Sequence, residues 1–199
     1  MNDFKRTLEE HFGAWALNKR VLFNCDLSKY YGGMYLNALF LEPKIKEMKK
    51  IFKKEKLYFG KHLDGFYSAY NGMTLFCHSL VIYGVSNKAE SGYCPLDIER
   101  MNHMLRMKFP QWNNELYSLG HYFNFEFCLK RNSDDETIFV VDKRDNLKVV
   151  RIFGDMDLLL ENCIDKIVNF YNSTGIKKGN KTLNRNWMNN MASEDIFNC

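Results

Sequence analysis

Phe123, Phe125, Phe127 and Leu129 alternate with Asn124, Glu126, Cys128 and Lys130. Side chains of an extended chain point to opposite faces in turn, so this spacing sets four large apolar groups on one face of a strand and disfavours a helix. The polar stretch Asn132 to Asp135 reads as a turn, after which Thr137 to Val141 and Leu147 to Phe153 resume strand composition, joined through Lys143-Arg144-Asp145-Asn146. Short strands linked by tight polar turns predict an antiparallel meander. Asp155 then suits a helix N-cap, and Leu159, Cys163, Ile167 and Phe170 carry the spacing of a long closing helix.

Ahead of the meander the period is helical. Phe4, Leu8 and Phe12 predict a helix from Asp3 to about Trp15, and Leu41, Ile45, Met48 and Phe52 predict a second with Pro43 in its first turn. A short helix from Lys61 to Tyr70 stops at Asn71-Gly72, where glycine admits the left-handed conformation. Leu80 to Tyr83 reads as a strand closed by Gly84, and Asp97 to Lys108 as a helix with Ile98, Met101 and Leu105 on one face and Pro110 just past its end. Residues 173–199, with Gly175, Gly179 and six Asn, show no clear period and read as a weakly packed tail. The expectation is α+β: one domain over residues 1–172, with a central antiparallel or mixed sheet of about five to six strands flanked by N-terminal helices and a C-terminal helix.

Composition fits one core, since 46% of 199 residues are hydrophobic and 15% aromatic, enough to need neither disulfide nor metal. The six cysteines (Cys25, Cys77, Cys94, Cys128, Cys163, Cys199) stand singly and read as small buried apolar groups. No run reaches the roughly 20 apolar residues of a membrane span, and MNDFKRTLEEHF is too charged for a secretory signal, so a cytoplasmic protein without membrane contact is expected. The net charge of +4 is unevenly spread, with 10 basic against 13 acidic groups over residues 94–172, a weak case for direct nucleic-acid binding. The one basic run, Lys44, Lys46, Lys49, Lys50, Lys53, Lys54 and Lys56, reads as the solvated face of a helix.

Catalytic signals are weak. Neither common phosphate loop is present, the five histidines stand singly, and adjacency would turn Cys77 and His78 to opposite faces of a strand. Asp97, Glu126 and Lys130 lie too far apart in sequence to suggest a metal-dependent nuclease site. No catalytic residue, metal site or cofactor is expected. The carboxylates Asp134, Asp135 and Glu136 at one hairpin tip, with Asp142 and Asp145 at the next, suggest an acidic rim that would capture a basic partner surface.

The stretch Phe59-Gly60-Lys61-His62-Leu63-Asp64-Gly65-Phe66-Tyr67-Ser68-Ala69-Tyr70-Asn71-Gly72, followed by Leu80-Val81-Ile82-Tyr83-Gly84, resembles the core signature of the SUKH superfamily. With the strands and helix from Phe125 to Asn172 the resemblance extends over about residues 3 to 172. Phe66, Asn71, Gly72, Tyr83 and Gly84 match the motif, in architectural roles. Phe59-Gly60 stands where the family usually has Leu-Pro, and Met73 where a second Gly is common. The resemblance implies a non-enzymatic immunity protein, a monomer or weak homodimer, that neutralises a cognate bacterial toxin, a nuclease being one candidate, by covering its active surface. The alternative that it implies is a regulatory or scaffold interaction module of the cell-wall synthesis regulator type.

Overall fold

A computed structural model of the chain describes residue 10 and residues 39–40, 43–75, 80–86, 97–110, 112 and 114–168. In these residues lie β1 (Leu39–Phe40), α1 (Ile45–Lys54), α2 (Lys61–Ala69), β2 (Met73–Leu75), β3 (Leu80–Ile82), α3 (Ile98–Lys108), β4 (Leu116–Tyr122), β5 (Phe125–Lys130), β6 (Ile138–Asp142), β7 (Lys148–Phe153) and α4 (Met156–Val168). The fold is α+β. The strands form one sheet in the order β1 to β7, with every neighbouring pair antiparallel. The sheet therefore has more strands than expected, because β1 and β2, of two and three residues, are too short to show an alternating pattern. Of the expected first helix only Glu10 is described, and it is helical; Cys77-His78 and the tail 173–199 lie outside the described residues.

The meander matches its hydrophobic pattern with one shift. Phe123 and Asn124 form the β4–β5 turn rather than the start of β5, Phe123 taking a left-handed φ of 51°. Phe125, Phe127 and Leu129 then join Met48 and Phe52 of α1, Leu63, Phe66 and Tyr67 of α2, and Leu159, Leu160, Cys163 and Ile164 of α4 in the main core. Pro43 precedes α1 instead of lying in its first turn, since Lys44 is the N-cap.

The junction between α2 and the sheet is fixed by shape. After Tyr70 ends α2, Gly72 takes φ 81°, and the Asn71 side chain grips Val85, Nδ2 donating to its carbonyl at 2.7 Å and Oδ1 accepting from its N–H at 2.8 Å. A Cβ on Gly84 would collide with the Asn71 carbonyl, so glycine is required where the two backbones meet. Phe66 and Tyr83 are buried. At the start of α2, Glu136 from the β5–β6 loop accepts hydrogen bonds from the N–H groups of His62 (3.1 Å) and Leu63 (3.2 Å), doing from a distance what a local cap would do. A Cβ at position 60 would strike that carboxylate and the Tyr58 ring, so a larger residue there would have to displace both side chains. No helix among the described residues is long and apolar enough to cross a membrane.

Candidate binding site

β5 is buried on both faces. Opposite the main core, Cys128 joins Leu105, Trp112 and Val141 in a second apolar cluster, with Phe109, Leu116, Phe139 and Leu147 at its edge. The cover on this side is α3, started by Asp97, whose Oδ1 accepts from Arg100 N–H at 2.9 Å and whose Oδ2 accepts from Ser86 N–H at 3.0 Å. Asn102 locks α3 to the sheet where the β4–β5 register slips: its Oδ1 accepts from Ser118 N–H and its Nδ2 donates to Ser118 C=O, both at 2.8 Å. A buried backbone pair that the bulge would strand is thereby satisfied.

Next to this lock Glu126 is buried, 1% exposed. Its Oε2 accepts from Ser118 Oγ at 2.6 Å and from the Tyr83 hydroxyl at 3.1 Å, and its Oε1 pairs with Lys143 Nζ. Tyr83 OH also lies 2.9 Å from His121 Nδ1. A hydroxyl that gives its one proton to Glu126 can only accept from His121, which places that imidazole proton on Nδ1. Burial pushes the Glu126 carboxyl above its ordinary range, and Lys143, Ser118 and Tyr83 pull it back. Burial first, and Glu126 second, raises both the Tyr83 hydroxyl and the Cys128 thiol, so neither is poised as a nucleophile.

Of this cluster, Glu126, His121 and Lys143 line an open cleft of about 830 Å³, and Ser118 and Tyr83 hold Glu126 from behind. One wall is the α3 stripe Met101, Met104, Leu105 and Lys108, at the spacing that aligns side chains along a helix, and the mouth is Asn124, Lys143 and Arg144 from two turns at the same end of the sheet. Those turns touch, Lys143 N–H donating to Asn124 C=O at 3.0 Å. Met104 is 49% and Met107 73% exposed. On the same side of the sheet, Val149 pairs in register with Val141 and Ile152 with Phe139, at 41% and 48% exposure.

The expected acidic rim does not form. In a meander successive turns stand at opposite ends of the shared strand, so the β5–β6 loop holding Asp134, Asp135 and Glu136 is separated by the length of β6 from the turn holding Asp145. Glu136 is buried as the cap of α2. Asp142 is also buried, accepting from Arg144 N–H at 2.8 Å and pairing with its guanidinium at 2.9 Å. Asp134, Asp135 and Asp145 are exposed. Nor do Asp97, Glu126 and Lys130 meet: the first caps α3, the second pairs with Lys143, and Lys130 is exposed beside Glu115. Within the lysine run, Lys49 pairs with Asp64 and Lys54 with Glu99. Among the described residues there is no group of three or more His, Cys, Asp or Glu placed to hold a metal ion. Sequence reasoning missed the cleft because its polar members come from one helix, two strands and two turns; the one available signal was a strand whose second face carried Glu and Cys.

Compared with known proteins, the chain matches no family model and no curated protein.

Proposed function

We propose that this chain is a binding module, an immunity protein of the SUKH type that neutralises a bacterial toxin by covering its active surface with the α3 side of the sheet. The observation that carries the reading is the placement of apolar surface. Of the six exposed large hydrophobic residues among the described residues, Met104, Met107, Val149 and Ile152 belong to that one side. Isolated exposed apolar groups are ordinary; several on one side, two of them adaptable methionines, suit a protein interface. The lining residues Glu126, His121 and Lys143 are preorganised, tied directly or through Ser118 and Tyr83, and a surface that needs no ordering loses less on binding. The element order α1, α2, Asn71-Gly72, β2, β3, Gly84 supports the reading, with Phe66 and Tyr83 buried and Asn71, Gly72 and Gly84 at the α2–sheet junction.

Co-expression with the protein encoded immediately upstream tests the reading. Restored growth together with a stoichiometric complex on purification is the expected result. Neither effect would remove the immunity reading and favour a regulatory or scaffold module.

A further inference from the structure

We infer that the cleft beside α3 receives an acidic side chain flanked by apolar ones, presented on a segment of a partner protein. The inference rests on the reading of the chain as a binding module and adds the chemistry of what is bound.

Charge and shape point the same way. His103, Lys108, Lys143 and Arg144 line the cleft against a single carboxylate, Glu126, which Lys143 already neutralises. Arg144 is likewise paired with the buried Asp142, which leaves Lys108 as the rim cation that meets no carboxylate among the described residues. An ammonium carries three donors, of which Lys143 gives one to Glu126 among the described residues, so up to two can meet an incoming anion. Lys143 is only 21% exposed, and a charge met in such a recess is screened less by salt than one on an open surface. A basic segment would meet these cations and be repelled; an acidic one would complete the donors of Lys143.

The walls specify the rest of the occupant. Met101, Met104, Leu105 and Phe109 supply apolar surface beside those donors, and the unbranched methionines can repack around side chains of different shape. The cleft is open, and Met107 stands 73% exposed at its edge, which suits a segment of chain lying across it more than an enclosed small molecule.

The test is NMR of the full chain labelled at its methionine methyls, titrated with three blocked hexapeptides: Leu-Glu-Leu-Leu-Glu-Leu, its Gln counterpart and its Lys counterpart. The acidic peptide is expected to shift Met101, Met104 and Met107, binding roughly tenfold more tightly than the Gln peptide, the weight of one charge-assisted hydrogen bond. The Lys peptide is expected to leave them unmoved. Two variants remove the cations by different routes: Lys108→Glu on the exposed rim, and Lys143→Met combined with Glu126→Gln so that no buried carboxylate is stranded. Each should abolish the preference for the acidic peptide, while Lys50→Glu on α1 should not. Equal binding of the Glu and Gln peptides, or no shift with any of the three, would overturn the inference. Co-purification of the upstream protein separates the two claims. If it persists in the cation variants, the binding-module reading stands and the acidic segment fails; if wild type captures no partner yet prefers the acidic peptide, the cleft chemistry stands and the immunity reading fails.

Discussion

On one face of β5, Phe125, Phe127 and Leu129 are sealed beneath α1, α2 and α4; on the other, Glu126 and Cys128 are as deeply buried but meet one helix and a cluster of polar groups. The first face is almost wholly apolar, its polar contacts lying at the edges of the helices that cover it. The second buries a carboxylate, which is tolerable only because Lys143, Ser118 and Tyr83 surround it. The difference teaches where each face spends its side chains: the apolar face holds the fold, and the polar face holds α3 in one orientation while leaving a cleft at its side.

The largest effect should come from the apolar face. Phe127→Ala removes a fully buried ring and should lower stability by about 3–5 kcal/mol in urea unfolding. A loss below about 1 kcal/mol would break the comparison, because it would mean that the helices do not close tightly on β5. On the polar face, Glu126→Ala strands Lys143, Ser118 and Tyr83. The expected loss is about 2–3 kcal/mol, below that for a fully enclosed ion pair because Lys143 keeps access to water. Combining it with Lys143→Met should recover part of that loss, and a double variant no better than the single one would show that the two residues do not act as a pair.

Smaller and pH-dependent is the clasp between α2 and α4, where His62 Nδ1 lies 2.9 Å from Asp157 Oδ2. The hydrogen bond to Asp157 chiefly raises the His62 pKa above 6.5, burial opposing it and Asp155 adding to it. A raised folded-state pKa means that the clasp stabilises fully below about 6.5 and fades as pH climbs through the folded value. His62→Gln should therefore cost less than about 1 kcal/mol at pH 5.5 and almost nothing at pH 8.5, the pair being partly exposed. Unfolding curves at the two pH values check the sign, and a larger cost at pH 8.5 would reverse it. Smallest for the fold is Met107→Glu, which should change stability by less than about 0.5 kcal/mol because the side chain is mostly in water. Its effect should appear in partner binding alone.

Much of the fold is legible in the sequence wherever one period runs long enough. The alternation through Leu129, the α1 stripe Met48 and Phe52, and the stop at Asn71-Gly72 all have local causes. β4 was harder to read, since the slip between Ser118 and Gly120 breaks its period, and β1 and β2 are too short to have one. The candidate site was not legible, for a different reason. Alternation says which residues share a face of β5 but not what covers each face, so nothing local marks Glu126 as buried until α3 is placed over it. The carboxylates misled for the same reason: only the folded chain brings Glu136 to the N-terminus of α2 and lays Arg144 on Asp142.

The central claim is that the α3 side of the sheet is where a partner protein is held. Hydrogen–deuterium exchange of the purified complex with the upstream protein, compared with the free chain, tests it most directly. The account predicts slower exchange in residues 98–108 and 143–152, with α1 and α4 unchanged. Protection confined to α1, α2 or α4 would contradict it.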